Sequence, residues 1–142
     1  MSDPGVRTNV ELLREGTEAY NRGDLSFVFE RAADDIEVHT ADGLLNTGTH
    51  HGRDAFARWM QEWLEAWSDF EIEIRSVDEI AERFLIVEVM QRGTGTGSGI
   101  AVEMELVQLI DVRGGEIARL HLYTDRAQAM ATVERLLAES ST

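Results

Sequence analysis

The pattern of apolar residues is most informative between Val102 and Tyr123. Two β-rich runs, VEMELVQLIDV and IARLHLY, flank the pair Gly114-Gly115. A glycine pair between such runs is typical of a two-residue hairpin turn, because both central positions need positive φ. This turn predicts a register that begins with Arg113 facing Glu116.

Continued along both strands, this register sorts the hairpin side chains into two faces, because directly opposed residues share a face. One face holds Glu105, Val107, Leu109, Leu120, Leu122 and Thr124, and the other holds Leu106, Gln108, Ile110, Ile117, His121 and Tyr123. Both faces are largely apolar, so both should be covered. Since one layer of helices covers only one face, the pattern predicts a homodimer through the second, convex face. Its interface would include Leu106, Gln108, Ile110, His121 and Tyr123.

The rest of the chain mixes helical and strand patterns. Apolar residues at helical spacing predict helices over residues 6–21, 25–33, 53–67 and 126–139. Alternating or continuous apolar runs predict strands over residues 36–40, 70–80 and 83–92, with a further short strand around His50 and His51. This order predicts an α+β fold with helices on one side of a curved antiparallel sheet.

Length and composition narrow the class of protein. The chain of 142 residues fits one domain over 1–142, with residues 1–5 expected to form a loose N-terminal tail. A net charge of −14 argues against nucleic acid and anionic membranes as partners. The sequence has no cysteine, no apolar run long enough to span a membrane and no signal-peptide core. We therefore expect a cytoplasmic protein without disulfides.

Four short phrases, in this order along the chain, carry a family resemblance. They are EAYNRGDL at 18–25, RAADDIEVH at 31–39, GTHHGRDAF at 48–56 and GGEIARLHLYTDRA at 114–127. Together they resemble the SnoaL-like and ketosteroid-isomerase-like branch of the nuclear transport factor two superfamily. The resemblance implies a cone-shaped barrel, in which a curved sheet wraps around helices and a deep apolar pocket, and usually a dimer. It leaves the activity open, because the fold hosts both enzymes and binding modules.

The residues that ketosteroid isomerases use are not matched here. The resemblance places Gly16 where the catalytic tyrosine would stand and Thr40 where the aspartate base would stand. The protonated aspartate would stand at Val107, or at Leu106 if the register slips. That chemistry needs a carboxylate base beside a neutral acid in an apolar site. We therefore reject ketosteroid isomerase activity.

Two other residues are candidates for acid–base chemistry. Glu105 falls on the predicted pocket face, where burial would raise its carboxyl pKa, and His50 has a side chain that titrates near neutral pH. The alternatives are a solvated carboxylate at the rim for Glu105 and a hydrogen-bonded histidine at a strand end for His50. We predict no metal site, because His50 and His51 lack helical ligand spacing and a third ligand, and we predict no cofactor.

The predicted pocket is mainly aromatic and aliphatic, which is how sites for small ligands are built. Its residues are Tyr20, Val38, His39, Thr40, Phe56, Trp59, Met60, Trp63, Val107, Leu109, Leu122 and Thr124, with Glu105 and His50 as catalytic candidates. One hypothesis is an isomerase, cyclase or dehydratase that moves protons on an apolar, polyketide- or terpenoid-like ring compound, with Thr40 and Tyr20 orienting a polar group. The other is a non-catalytic module for ligand binding or dimerisation.

Overall fold

Four helices and six strands form an α+β fold in a computed structural model, which describes residues 8–41 and 48–140. The helices are α1 (Asn9–Asn21), α2 (Ser26–Glu30), α3 (Arg53–Ala66) and α4 (Arg126–Ser140). The strands are β1 (Ala32–Thr40), β2 (Gly48–His51), β3 (Trp67–Ile80), β4 (Phe84–Gly95), β5 (Ala101–Arg113) and β6 (Glu116–Tyr123). The predicted elements are therefore present with shifted ends, whereas the predicted tail at residues 1–5 lies outside the described residues.

The six strands form one open sheet in the order β2-β1-β6-β5-β4-β3, so the predicted barrel does not close. The sheet is also not purely antiparallel, because β1 pairs in parallel with β6. Every other neighbouring pair is antiparallel. Helices α1 to α3 cover what we call the inner face, whose buried residues include Val87, Leu106 and Leu122.

Helix α4 packs on the opposite, outer face, so the prediction of helices on one side only is wrong. Ala129, Val133 and Leu136 of α4 are buried against Val107 and Leu109 of β5. The start of the helix is fixed by reciprocal caps. The Asp125 carboxylate accepts from the backbone N–H of Gln128 at 2.9 Å, and the Gln128 side chain accepts from the backbone N–H of Thr124 at 3.1 Å.

The hairpin turn forms as predicted, but its register changes after two residue pairs. Gly114 and Gly115 have φ values of 59° and 80°, and Arg113 faces Glu116. A β-bulge then leaves Ala118 without an opposing residue, so that Asp111 pairs with Arg119. One extra residue moves every later side chain of β5 to the other face relative to β6.

The bulge corrects the predicted faces of β5. Leu106, Gln108 and Ile110 lie on the inner face with Leu120 and Leu122, and Val107 and Leu109 lie on the outer face with His121 and Tyr123. The predicted convex interface is therefore wrong for the three β5 residues. His121 and Tyr123 are on the outer face but buried, with 3% and 7% exposure. Since α4 covers this part of the face, the argument that a second protomer must do so no longer holds, and the homodimer stays a prediction.

Within residues 8–41 and 48–140, no helix is long and apolar enough to cross a membrane.

Candidate functional site

A cavity of about 120 Å³ lies between helices α1 to α3 and the inner face of the sheet. Most of its wall is apolar, with contributions from all three helices and from strands β3 to β6. Its helix residues include Leu12, Leu13, Thr17, Tyr20, Phe27, Val28, Trp59, Met60 and Trp63, and its strand residues include Phe70, Ile72, Leu85, Gln91, Gln108, Ile110, Leu120 and Leu122. Asn9, Arg31 and the exposed Gly115 also line it, which indicates that it opens where α1 begins, near the hairpin turn.

Helix α3 forms the aromatic wall of the cavity. Phe56, Trp59, Met60 and Trp63 fall at helical spacing, so one face of the helix buries all four. The Trp59 indole N–H donates to the Thr40 hydroxyl at 2.9 Å, which ties α3 to the end of β1. This bond fixes the ring plane of Trp59 at the cavity wall.

Helix α1 forms the facing wall and is tied to the rest of the fold at its C-terminal end. The Tyr20 hydroxyl donates to the Met60 carbonyl at 3.1 Å. The Asn21 side chain binds both the backbone N–H and the carbonyl of Ile72, on the edge strand β3. Burial raises the pKa of the Tyr20 phenol far above its usual value. Tyr20 therefore stays protonated, with its proton held by the Met60 carbonyl.

The close approach of α1 to α2 depends on Gly16. A Cβ atom at this position would lie 3.3 Å from Val28 Cγ2, which is tighter than an ordinary contact. The resemblance placed a catalytic tyrosine at this residue. In this chain the position is a point of helix contact instead.

Two glutamines supply polar groups to the strand wall. Gln91 is 4% exposed and its amide nitrogen is buried without a hydrogen-bond partner. Gln108 is half-buried on the neighbouring strand. The indole nitrogen of Trp63, across the cavity on α3, is also buried without a partner. The sequence reasoning missed Gln91, although a glutamine at the end of the run FLIVEVM was an available signal for a polar group among buried side chains.

Five of the predicted pocket residues line the cavity, namely Tyr20, Trp59, Met60, Trp63 and Leu122. Val38, Thr40 and Phe56 are fully buried in the packing behind this wall. His39 is on the outer face with Val107 and Leu109, and its ring packs against His121. Thr124 is exposed at the start of α4. Thr40 does not line the cavity, so its predicted role in orienting a ligand is wrong. Tyr20 does line it, and its hydroxyl, which donates to the Met60 carbonyl, can still accept a hydrogen bond, so its role stays a prediction.

Neither catalytic candidate reaches the cavity. Glu105 pairs with Met90 on the outer face and is exposed, because the bulge reverses the parity of β5. His50 is exposed on the short edge strand β2. The prediction that Glu105 faces an apolar pocket is therefore wrong, and the alternative of a solvated carboxylate describes it. His50 lies outside the described cavity wall. Among the cavity-lining residues that the structure describes, none is a carboxylic acid or a histidine.

The buried ionisable groups lie on the outer face instead. His121 Nε2 is 2.7 Å from Glu37 Oε2, and Nδ1 is 2.9 Å from the Tyr123 hydroxyl. Since a carboxylate only accepts, the neutral His121 donates from Nε2 to Glu37 and accepts from Tyr123. Tyr123 in turn contacts the Thr132 hydroxyl of α4 at 2.7 Å. This chain of hydrogen bonds joins α4 to the sheet.

We predict that His121 makes the stability of the fold depend on pH. Burial lowers the pKa of His121 below its usual value of 6.5, and it outweighs the opposing effect of Glu37; His39 and Arg119 lower it further. Below pH 6.5 the unfolded chain therefore binds a proton that the folded chain does not bind. The free energy of unfolding should fall as the pH decreases from 6.5 towards the lower pKa of the folded state.

Urea unfolding between pH 5 and pH 7.5 checks this prediction. The control is H121Q, in which the amide can donate to Glu37 and accept from Tyr123 without titrating. The free energy of unfolding should change less with pH in H121Q than in wild type over this range. An equal change in both proteins would contradict the assignment of this pH dependence to His121.

No group of three or more His, Cys, Asp or Glu side chains in the described parts of the chain could hold a metal ion.

Residues 13–120 match the SnoaL-like domain family. The match spans most of the sequence and covers α2, α3 and β3 to β5 in full, with most of α1 and β6. The chain belongs to the SnoaL-like domain family. This SnoaL-like domain matches none of the curated proteins.

Solved structures share the fold of the SnoaL-like domain at low identity. An NTF2-like protein from Burkholderia thailandensis E264 is 24% identical with a TM-score of 0.74, over 88% of this chain and 98% of that chain. An NTF2-like protein of unknown function from Burkholderia pseudomallei K96243 is 21% identical with a TM-score of 0.74, over 89% of this chain and 97% of that chain. A protein with a ketosteroid isomerase-like fold from Catenulispora acidiphila DSM 44928, in complex with trimethylamine, is 16% identical with a TM-score of 0.71, over 88% and 92%.

Proposed function

We propose that this SnoaL-like domain binds a small, uncharged and largely apolar ring compound in the cavity between α1, α3 and the inner face of the sheet. The observation that carries the proposal is the cavity itself, whose wall is aromatic and aliphatic with a few polar groups. Apolar walls with few polar groups are typical of sites for small molecules. The trimethylamine bound to the Catenulispora protein supports a small ligand for this fold.

The size of the cavity limits the ligand. An engineered apolar cavity of about 150 Å³ in another protein binds benzene, and the cavity here measures about 120 Å³. One six-membered ring is therefore the scale that the site accepts as it stands. A fused polyketide or terpenoid skeleton would need side chains at the mouth, such as Arg31, to move.

Of the two functions that the sequence left open, the cavity favours ligand binding over proton transfer. Glu105 and His50 are exposed and outside the cavity wall. Tyr20, which does line it, holds its proton against the Met60 carbonyl. The described wall thus offers shape and hydrogen bonding to a ligand rather than an acid–base pair.

A variant that fills the cavity tests the proposal. Thr17 lines the cavity from α1, and its neighbour Glu18 is exposed on the same helix. T17F should weaken binding of methylenecyclohexane, a six-membered hydrocarbon ring, by about tenfold or more, because the added ring occupies the ligand volume. Calorimetric or ligand-observed NMR titration measures the affinity.

The matched control is E18F, which adds the same ring at the exposed position. Its affinity for methylenecyclohexane should stay within about twofold of wild type, well below the change of about tenfold that we expect for T17F. Equal affinity in T17F and wild type, or no saturable binding by the wild-type protein, would contradict the proposed site.

A further inference from the structure

Two residues that line the cavity carry hydrogen-bond donors that the protein leaves unused. They are the amide nitrogen of Gln91 on β4 and the indole nitrogen of Trp63 on α3, both buried without a partner. The two side chains are 4% and 2% exposed, and both line the cavity. Buried polar groups are nearly always hydrogen-bonded in folded proteins, so two unpartnered donors on side chains around one cavity need an explanation.

Sequence spacing places both donors towards the same end of the cavity. Gln91 precedes Gly93 by two residues on β4, and Trp63 precedes Trp67 by about one helical turn. Trp67 packs onto Gly93, where an added Cβ atom would lie 3.0 Å from Trp67 Cβ. This end is far from the hairpin turn, and the residues paired with Gln91 in the sheet are the apolar Ile72 and Met104.

The chemistry of the two donors defines what they can recognise. An indole N–H only donates, whereas a glutamine amide offers two N–H donors and a carbonyl. A ligand atom shared by both side chains must therefore accept hydrogen bonds. The apolar surroundings disfavour a charged acceptor, because the cost of moving a charge out of water is large.

We propose that the ligand carries an uncharged carbonyl oxygen on its apolar ring, and that Gln91 and Trp63 donate to this oxygen. The proposal rests on the proposed function, because it assigns the ligand chemistry of the same cavity. Both nitrogens are shielded from water by the surrounding protein. The terminal torsion of glutamine is broad and soft, which lets the Gln91 amide turn towards an oxygen placed in the cavity.

Two ligands of nearly equal shape test the proposal. Cyclohexanone carries a carbonyl where methylenecyclohexane carries a C=CH₂ group. The ratio of their dissociation constants is measured in wild type and in Q91M, which keeps the size of the side chain but has no donor. Comparing ratios cancels the different hydration of the two ligands. In Q91M we expect the dissociation constant of cyclohexanone to rise by about tenfold relative to that of methylenecyclohexane. This is the effect of losing one hydrogen bond of ordinary strength.

The control is Q61M, the same change at an exposed glutamine of α3 that does not line the cavity, and it should leave the ratio within about twofold of wild type, since a single hydrogen bond changes it by more. Thermal unfolding gives a second readout. Because the Gln91 amide nitrogen has no hydrogen-bond partner in the protein, Q91M should not lower the unfolding midpoint. A structural role for the amide predicts a lower midpoint in Q91M.

The possible outcomes separate the two proposals. An unchanged ratio in Q91M, with both ligands still bound, would overturn the carbonyl assignment and leave the proposed function intact. Failure of both ligands to bind wild type would overturn the proposed function. A lowered midpoint in Q91M with an unchanged ratio would show that Gln91 has a structural role instead.

Discussion

Replacing Asp111 with alanine is expected to lower the free energy of unfolding by about 3–5 kcal/mol. The Asp111 side chain is fully buried on β5. Arg83 binds it with two hydrogen bonds of 2.7 and 3.0 Å, and Arg119 donates to it at 2.6 Å. Arg113 adds a weaker contact at 3.4 Å. Removing the carboxylate leaves guanidinium groups beside one another without the charge that holds them.

The electrostatics of Asp111 support this size of effect. Burial raises the pKa of its carboxyl group, but the hydrogen bonds from Arg83 and Arg119 outweigh burial and bring the pKa below its usual value. The stability that this carboxylate contributes is therefore present at neutral pH and is lost as the pH falls through the lower pKa of the folded state. Since the free energy of unfolding of a small domain is about 5–15 kcal/mol in total, D111A should be only marginally folded.

Urea unfolding at pH 7 measures the change, with E73Q as the matched control. Glu73 on β3 also accepts from an arginine of the neighbouring strand, at 2.8 Å from Arg92 on β4, but both side chains are more than a third exposed. An exposed ion pair contributes at most about 1 kcal/mol. If D111A and E73Q changed stability equally, the buried cluster would not be a major source of stability.

The second large effect is expected for Trp59. Replacing it with alanine should lower the free energy of unfolding by about 3–5 kcal/mol, the usual range for a buried large aromatic residue. Trp59 is 7% exposed and packs between Phe56 and Trp63 on α3. The change also leaves the fully buried hydroxyl of Thr40 without its donor.

W59F separates packing from hydrogen bonding. It keeps an aromatic ring but removes the donor to Thr40. It should therefore lower the free energy of unfolding by about 1–3 kcal/mol, which is less than W59A does. Because W59A enlarges the cavity, methylenecyclohexane should raise its unfolding midpoint more than that of wild type. A loss below about 1 kcal/mol in W59A would contradict the placement of Trp59 in the core, since most buried aromatic truncations exceed it.

Most of the elements could be predicted from the sequence, because their apolar periodicity is local. Helix α3 is the clearest case, since four buried residues repeat at helical spacing. The hairpin turn could be predicted equally well, because the turn needs positive φ at two positions and the sequence supplies two glycines there. The parallel pairing of β1 with β6 and the packing of α4 on the outer face could not be predicted, because no local sequence pattern indicates either of them.

The site was harder to predict because one residue decides which side chains face it. Ala118 is left unpaired by the bulge, and this single extra residue put Glu105 outside and Gln108 inside. One signal was available. The register with a bulge sets Asp111 opposite Arg119, an opposite-charge pair, whereas the regular register sets Asp111 opposite Ala118.

The indole resonances of the three tryptophans show directly whether a ligand enters the cavity, when they are followed in ¹H–¹⁵N NMR spectra during titration with methylenecyclohexane. Trp59 and Trp63 line the cavity, whereas Trp67 packs on Gly93 outside it and serves as an internal reference. A ligand without aromatic rings avoids ring-current shifts at distant nuclei. A ligand bound in this cavity should give saturable shifts for Trp59 and Trp63 and little change for Trp67. Shifts confined to Trp67, or no saturable shift at any indole, would contradict a ligand site in this cavity.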